Sequence, residues 1–388
     1  MHKYLPDTGE KSNEKKQLRI IELAWKGTVL LTAMKKYIEF KAGSEILTRL
    51  RDEGLDSRLI SVFTGPAGGP KWFVSVGFDT MLMKTDFLCH GNGRVLLAGS
   101  SAGAWRCLAM ACKDPLLAYE NLRIAYSRNI FTAEDTPVTV SEALARNVES
   151  FLSDDNVDHI LNHPHYDLAV HAVRALGLTA SENKRLQGGA ILVAALANAF
   201  TPKNMRLFFE RVVFVSGPEL PDFVHAFKGR AIRMNEENVR KAALATGSLP
   251  YIVKGVTDIA GAPPGIYRDG GITDYQLNQD YCPRDGSITL FFHYQERIVP
   301  GWFDKLLTWR VPQSGILDRV LQVFPGPDFL KRLPDGRLPD REDFRIFVND
   351  PKERIRRWDK VSELSEILGQ EFGEAVTSGN IRHLVRPL

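Results

Sequence analysis

Two short apolar runs, each ending at a glycine, constrain the fold of this chain more than any other feature. Residues 59–64 carry the sequence Leu-Ile-Ser-Val-Phe-Thr and stop at Gly65, and residues 95–98 carry Val-Leu-Leu-Ala and stop at Gly99. Short apolar runs of this kind, rich in β-branched and aromatic residues, are typical of buried strands. Residues 71–83 between them can form a helix. The pattern therefore predicts a strand–loop–helix–strand unit and a parallel sheet.

Other patterns extend this unit along the chain. We predict strands at 211–215, 266–268 and 288–292, helices at 236–246 and 352–368, and a mostly helical stretch at 115–205. The longest apolar run, Gly188–Phe200, is too short to cross a bilayer and is interpreted as a buried helix. The expected fold class is α/β, a three-layer α/β/α sandwich around a central, mostly parallel sheet. An active site is expected at the carboxyl ends of the strands.

The charge balance, the first residues and the cysteines limit the classes of function to be considered. With 50 basic and 47 acidic residues the net charge is +3, which gives no basis for a nucleic-acid partner. The polar start, MHKYLPDTGEKSNEKKQ, carries no secretory pattern. The four cysteines form no CxxC pair and are interpreted as reduced core thiols. We expect a cytoplasmic protein, with any membrane contact peripheral.

The motif Gly99-Ser100-Ser101-Ala102-Gly103 lies directly after the second predicted strand and before a helical run. It matches G-x-S-x-G, the nucleophile elbow, in which the serine occupies a strained strand-to-helix turn with small residues on both sides. Ser101 would then lie at a helix N-terminus, whose partial positive charge favours an alkoxide. Ser101 is therefore the candidate nucleophile.

A glycine-rich loop, Gly65-Pro66-Ala67-Gly68-Gly69-Pro70-Lys71, follows the first predicted strand. Paired glycines let a backbone approach a ligand closely and present free N–H groups. A nucleotide phosphate loop does not fit, because that motif needs a glycine where Pro70 precedes Lys71. An oxyanion hole fits better, with Gly68, Gly69 and Lys71 as candidate donors.

A third motif, Tyr267-Arg268-Asp269-Gly270-Gly271, ends a short predicted strand in a turn. The three motifs, in this order, resemble the patatin-like phospholipase family. Members of that family combine a glycine-rich oxyanion loop and its basic residue with G-x-S-x-G and then Asp-Gly-Gly or Asp-Gly-Ala. Residues 244–250 also resemble the helix end that precedes the family's catalytic aspartate. The first loop is most similar to that of a bacterial branch with Gly-Gly-Pro-Lys-Trp.

The resemblance implies a patatin-like fold and a serine acyl hydrolase acting on lipid esters, of phospholipase A type. It implies Ser101 as the nucleophile that carries the acyl group, Asp269 as its general base, and Gly68 and Gly69 as oxyanion donors. The loop departs from the plant-type pattern, since Ala67 and Trp72 replace glycines, and Pro70 has no N–H.

The resemblance also suggests how the chain is organised. It covers roughly residues 57–295, which we predict to be the catalytic domain. Residues 1–17 are predicted to be a flexible tail and residues 18–56 an N-terminal helical segment. Residues 296–388 are predicted to form a C-terminal extension packed on the catalytic domain.

A catalytic triad is the alternative to this dyad. Ser101, Asp269 and His293 follow the chain order of the α/β-hydrolases, although His293 ends an apolar strand, where a structural histidine is common. The acyl group could also pass to an alcohol or to coenzyme A instead of water, as in an acyltransferase, or the chain could be a silent lipid-binding or interaction module.

No cofactor and no metal are expected. The histidine cluster His159, His163, His165 and His171 has metal-like spacing in part, but Pro164 interrupts it and HExxH is absent. The expected partner is a lipid or other acyl-ester substrate with a long acyl chain. Apolar side chains near the motifs are candidates for its pocket: Trp72, Phe73, Val74, Trp105 and Leu108.

A soluble enzyme must reach lipid from the water side, and residues 299–310 are the candidate contact. Trp302, Leu306 and Trp309 fall at helical spacing and would form one apolar stripe, with Lys305 and Arg310 beside it. The same stripe would serve equally well as core packing, so both interpretations stay open.

Overall fold

The structure, a computed structural model, describes residues 37–91, 93–218, 223–224, 229–282 and 286–388. From Tyr37 to the last residue the chain forms one unit. The predicted flexible tail, residues 1–17, and residues 18–36 of the predicted helical segment lie outside the described residues.

One sheet contains all ten strands of the described residues. The strands are β1 (Ile38–Ala42), β2 (Ile60–Gly65), β3 (Val95–Ser100), β4 (Tyr166–Ala175), β5 (Phe209–Val215), β6 (Arg230–Arg233), β7 (Ile266–Asp269), β8 (Ile288–Phe292), β9 (Val320–Pro325) and β10 (Val385–Pro387). Their order is β10-β1-β9-β8-β2-β3-β4-β5-β6, with β7 also paired to β4. The central pairs from β9 to β4 are all parallel, and β1 on β9 and β5 on β4 are antiparallel.

Helices flank this sheet. They are α1 (Ser44–Glu53), α2 (Val76–Lys84), α3 (Ala102–Met110), α4 (Pro115–Arg128), α5 (Pro137–Glu149), α6 (Asp154–Leu161), α7 (Lys184–Phe200), α8 (Val239–Thr246), α9 (Pro327–Leu330), α10 (Asp343–Ile346), α11 (Pro351–Leu364), α12 (Glu366–Thr377) and α13 (Ile381–Leu384). The predicted α/β/α class, with a mostly parallel central sheet, is confirmed.

Several of these helices begin at an acceptor side chain followed by proline. Asp114 accepts the Leu117 amide before Pro115, and Asp350 accepts the Glu353 amide before Pro351. The side chain satisfies an amide that has no partner within the helix, and proline lacks the N–H that would otherwise be unpaired. These short signals fix where α4 and α11 start.

Both faces of the sheet are covered. Consecutive strand residues point to opposite faces, so Phe63 and Leu97 join the large helical core while their neighbours Val62 and Ala98 join a second cluster. Because every residue of β2 is buried, its sequence is a continuous apolar run rather than an alternating one.

The arrangement of strands along β4 positions the site. The first part of β4 pairs with β3, up to Ser100 opposite His171, and the last part pairs with β7, starting at Asp269 opposite Ala172. Since β3 is parallel and β7 antiparallel to β4, their carboxyl ends meet head to head on one edge of β4. The residues at those two ends are therefore neighbours in space.

Some predicted elements are wrong. The stretch 115–205 is mostly helical, as predicted, but it also contains a strand that was not predicted, β4, the longest strand of the sheet. Residues 38–42 of the predicted N-terminal helical segment form the strand β1. The Gly188–Phe200 helix is not fully buried, because only one face of α7 packs inward.

Candidate active site

Ser101 occupies the sharp turn between β3 and α3. Its backbone has φ 53° and ψ −132°, a conformation that L-residues rarely adopt, and its side chain is almost fully buried. A strained turn of this kind raises the serine above the sheet and points it away from the helix that follows. This is the strand-to-helix geometry that a nucleophile elbow requires.

Close backbone contacts explain the glycines of the motif. A Cβ on Gly103 would lie 2.0 Å from the Gly65 carbonyl oxygen, and one on Gly99 would lie 2.8 Å from the Ala104 amide nitrogen. Neither position can hold a larger residue unless the backbone shifts. The glycines at both ends of the motif thus let α3 start directly against β2 and β3.

A hydrogen-bond chain from α8 holds the elbow. The Ser101 amide donates to Thr246 Oγ1 at 2.8 Å, and that hydroxyl donates to the His171 carbonyl on β4. The Ser248 carbonyl accepts the Asp269 amide at 3.0 Å. The end of α8 therefore contacts both strand ends at the site, a role that sequence reasoning did not assign to Thr246.

Asp269 lies beside the serine. Ser101 Oγ donates to Asp269 Oδ2 at 2.8 Å, and the Gly271 amide donates to Asp269 Oδ1 at 2.7 Å. Burial raises the pKa of Asp269 above its ordinary value, although the charge of Arg341 and the two hydrogen bonds oppose that shift. A buried carboxylate of raised pKa, in direct contact with a serine hydroxyl, can accept its proton.

The glycine-rich loop lies at the same edge of the sheet. It is fixed at Ala67, whose amide donates to the Tyr275 carbonyl and whose carbonyl accepts the Tyr294 hydroxyl. A 3-10 helix begins at Gly69, so the amides of Gly68 and Gly69 precede the first hydrogen bond that such a helix can make. Gly69 lines the same cavity as Ser101.

This arrangement agrees with what a comparison of the sequence with known families finds. The family model described as patatin-like phospholipase matches residues 67–275, more than half of the chain. The chain belongs to the patatin-like phospholipase family. No curated protein matches the chain. The predicted bacterial branch stays a prediction.

As a member of this family, the chain has a domain typical of lipolytic acyl hydrolases, enzymes that act on lipid esters. Among the described residues, no helix combines the length and apolarity needed to cross a membrane. Over the same part of the chain, no group of three or more metal-ligating side chains comes together.

The patatin-like domain contains an apolar cavity at Ser101, with a volume of about 340 Å³. Side chains from five separate segments form its apolar wall, namely Trp105, Tyr126, Val140, Leu144, Leu249 and Phe344. Of the five residues proposed for an acyl pocket, Trp105 lines this cavity. Trp72, Phe73, Val74 and Leu108 lie in the core instead.

Residues outside the family match complete the site. Arg341 lines the cavity, and its Nε would lie 2.8 Å from a Cβ on Gly69. The neighbouring Asp340 forms an ion pair with the Lys71 ammonium. Sequence reasoning missed Arg341 because no motif links a C-terminal segment to the glycine-rich loop.

Lys305 is a second cation near Asp269 that sequence reasoning did not place in the site. Its Nζ lies 4.3 Å from the centre of the Tyr275 ring. Burial, together with the charges of Arg341 and Lys71, lowers the pKa of Lys305 to about 7, while Asp269 opposes the shift. Its charge therefore changes near neutral pH.

The histidines have structural partners. His293 Nδ1 accepts the Tyr294 amide, and Nε2 lies 3.1 Å from the Arg297 carbonyl, so both ring nitrogens are occupied away from Ser101. Burial lowers the pKa of His293 to about 3. In the histidine cluster, His163 Nδ1 accepts the backbone amides of His165 and Tyr166.

Proposed function

We propose that this chain is a lipid acyl hydrolase of phospholipase A type, working through a Ser101–Asp269 dyad. The observation that carries the proposal is the 2.8 Å hydrogen bond from the Ser101 hydroxyl to a buried carboxylate. Among the described residues, no histidine hydrogen-bonds either member. The family match on residues 67–275 supports the reaction class.

Acylation begins when Ser101 Oγ attacks the ester carbonyl while its proton moves to Asp269. The carbonyl oxygen becomes an oxyanion, and we assign the amides of Gly68 and Gly69 to its stabilisation. The amide of Ala102, the first residue of α3, has no partner within the helix and is a further candidate donor. Asp269 then protonates the departing alcohol, which leaves an acyl group on Ser101.

Deacylation repeats these steps with water as the nucleophile. Asp269 accepts a proton from water as the oxygen attacks the acyl carbonyl, and returns it to Ser101 Oγ when the fatty acid leaves. The raised pKa of Asp269 suits this exchange, because a weakly basic carboxylate of ordinary pKa would retain a proton poorly.

Two cations would favour the negative charge that develops in both steps. Arg341 adjoins Gly69, and Lys305 interacts electrostatically with Asp269. Oxyanion donation by Lys71, predicted from sequence, stays a prediction. Its ammonium pairs with Asp340, so we propose that Lys71 also positions the neighbouring Arg341 over the loop.

The cavity suggests the acyl part of the substrate. Its apolar wall surrounds Ser101, and its volume falls within the range of small-molecule sites, roughly 300–1,000 Å³. We propose that it holds a long acyl chain, with the ester at Ser101. An acyltransferase would use the same acyl-enzyme with a different acceptor, and an assay of water against alcohol acceptors separates the two.

Labelling by an active-site probe tests the proposal. A fluorophosphonate should label the wild-type protein at Ser101, and Ser101→Ala should lose the label while keeping the wild-type melting temperature. Ser100→Ala is the matched control, because Ser100 Oγ donates to the Asp274 carbonyl and not to Asp269. Equal labelling of wild type and Ser101→Ala would contradict the proposal, and so would a folded wild-type protein that does not react. The second result would favour the silent lipid-binding module.

A further inference from the structure

Helix α7 exposes large apolar side chains along one face. Leu192, Val193, Leu196 and Phe200 have 62%, 55%, 57% and 88% of their surface exposed. Leu192, Leu196 and Phe200 are spaced four residues apart, so they form one stripe along the helix. The opposite face is buried through Ala190, Ile191, Ala194 and others, so both faces of this helix are apolar although only one is covered.

A second exposed apolar segment is attached to the end of this stripe. Leu306, Trp309 and Val311 have 89%, 69% and 66% of their surface exposed. The Arg310 guanidinium donates to the Asn198 carbonyl at 2.9 Å, and Asn198 Nδ2 donates to Asp304 at 2.7 Å. These bonds fix residues 304–310 against the last turn of α7, the turn that ends at Phe200 of the stripe. We call the stripe and this second segment together the α7 face.

The segment 299–310 does not form the helix that its sequence predicts. Its helical part is one short 3-10 turn, Trp302–Asp304, so the predicted stripe of Trp302, Leu306 and Trp309 does not form. Trp302 packs against Ala67, Tyr275 and Val299 instead. Only the later part of the segment is exposed, and it joins α7.

The charged side chains on α7 and just beyond its end have one sign. Between Glu182 and Glu210 the chain has no acidic residue and four basic ones: Lys184, Arg185, Lys203 and Arg206. Lys184 and Arg185 are exposed at the start of the helix, and Lys203 is exposed just beyond its end. Apolar side chains bordered by exposed cations are typical of helices that lie in an anionic lipid interface.

The first turn of α7, which precedes the α7 face, lies at the cavity. Lys184, in the first turn of α7, lines the cavity with Tyr251, and the Tyr251 amide donates to Gln187 of the same helix at 2.9 Å. Ile252, another lining residue, has half of its surface exposed. A surface that covers the whole length of α7 would therefore come close to the cavity that contains Ser101.

We propose that the α7 face is the docking surface of this protein for an anionic lipid surface. Exposed contiguous apolar surface of this kind is unusual on a soluble monomer and marks an interaction site. The exposed basic residues beside it and the nearby cavity favour a lipid surface, rather than another partner, as what binds there. The choice of lipid rests on the proposed function, whereas the exposure and the charge do not depend on it.

Vesicle co-sedimentation tests the proposal. Wild type should bind vesicles of equal parts phosphatidylglycerol and phosphatidylcholine, and bind pure phosphatidylcholine less well. Leu196→Gln with Phe200→Gln should weaken this binding at least about tenfold, because the exposed stripe loses its apolar ends. Leu116→Gln with Leu117→Gln is the matched control, since these two leucines are exposed on a different helix, α4. Their loss should leave binding unchanged.

A second measurement does not depend on a destabilising change. Trp309 fluorescence, taken as the difference between wild type and Trp309→Phe, should be quenched by vesicles that contain brominated lipid. Arg185→Gln with Lys203→Gln should reduce the preference for anionic vesicles and its sensitivity to salt. Unquenched Trp309, or wild-type binding by the Leu196/Phe200 variant, would overturn the proposal. The proposal would also be overturned if the protein forms a dimer through the apolar side chains of the α7 face and does not bind vesicles.

Failure of docking and failure of the proposed function give different results. If only docking is wrong, the Leu196/Phe200 variant and wild type hydrolyse a soluble short-chain ester equally, and the two proteins bind vesicles equally or not at all. If only the hydrolase proposal is wrong, wild type leaves every ester intact but still binds vesicles through the α7 face. Ser101→Ala should bind vesicles as wild type does in either case.

Discussion

At the scale of single residues, Asp269 is placed where its charge is unfavourable for folding. Its carboxylate is buried, and burial raises its pKa. The folded protein therefore holds a proton on this group at pH values where the unfolded chain has released it. Stability from this group is complete at acid pH and is lost as pH rises through the folded pKa.

Asp269→Asn should therefore raise the melting temperature at neutral pH, because asparagine has the same shape and no charge to bury. The gain should shrink as pH falls below the ordinary range of an aspartate, where the wild-type carboxyl is neutral in both states. Thermal unfolding over a pH series measures it. Asp258→Asn, at an exposed site, should not show this pH-dependent gain. A variant less stable than wild type at neutral pH would contradict the argument.

Lys305 should set the alkaline limit of activity. Asp269 must lose its proton to act as a base, so the rate rises with pH at first. Lys305 is charged below its pKa of about 7 and neutral above it, so the rate should fall as its charge is lost. Lys305→Arg keeps the charge at higher pH and should remove that fall from the pH profile of kcat/KM. The same fall near pH 7 in the arginine variant would show that another group causes it.

The sequence predicted the residues that local motifs define. Ser101, Asp269 and the paired glycines each lie in a turn that a few adjacent residues define. Thr246, Lys305 and Arg341 reach the site through tertiary contacts that no spacing encodes. Arg341 lies next to Gly69 only because a C-terminal segment folds back onto the loop.

At the scale of elements, strand β4 explains why Ser101 and Asp269 meet. It pairs with β3 along one part and with β7 along the next, so the two carboxyl ends face each other. The sequence did not predict β4, because Tyr166–Ala175 contains His171, Arg174 and three alanines and lacks the β-branched run of β2. The neighbouring strands bury this segment and thereby make it a strand. This is a tertiary effect, which the local sequence does not encode.

Three helices behind the elbow are joined by a buried ion pair. Arg106 of α3 makes two hydrogen bonds to Asp79 of α2, at 2.7 and 2.8 Å, and Tyr119 of α4 donates to the same carboxylate. The two charged side chains have no solvent exposure. The pair therefore fixes the helix that carries Ser101 against its neighbours.

Asp79→Asn should lower the free energy of unfolding by about 3–5 kcal/mol, because it leaves the Arg106 charge buried without a partner. Denaturant unfolding measures it. Tyr119→Phe removes one hydrogen bond and keeps the ion pair, so its cost should be smaller, about 1 kcal/mol. If both variants lower the free energy of unfolding equally, the ion pair adds no stability beyond that of the tyrosine hydrogen bond.

Helix α5 supplies part of the cavity wall, which gives a test of the acyl pocket. Val140 lines the cavity, whereas Val138 on the same helix is exposed and does not line it. Val140→Phe should lower kcat/KM for long-chain p-nitrophenyl esters about tenfold and spare short-chain esters, since the added ring fills the cavity. Val138→Phe should leave both unchanged. An equal loss for both chain lengths would place the acyl chain elsewhere.

At the scale of the whole molecule, the C-terminal region belongs to the architecture of the site. Strand β9 lies in the sheet between β1 and β8, and Arg341 and Phe344 line the cavity. The predicted extension, residues 296–388, therefore contributes strands to the central sheet. Its boundary at residue 296 remains a proposal. The sequence predicted the class of fold from the β2–β3 unit, and it also predicted β5, β7 and β8. It did not predict β1, β4, β6, β9 or β10, whose conformation depends on their neighbours in the sheet.

The identity of the general base is the central claim, and the rate of acylation tests it most directly. We compare wild type, Asp269→Asn and His293→Ala in single-turnover reactions with a soluble p-nitrophenyl ester, each variant first verified as folded. Asp269→Asn should acylate on the order of a thousandfold more slowly or worse, because Ser101 loses the one base that contacts it among the described residues. His293→Ala should cost stability while its folded fraction keeps nearly the wild-type rate. A folded His293→Ala protein with almost no activity, beside an active Asp269→Asn protein, would contradict the dyad and favour the triad.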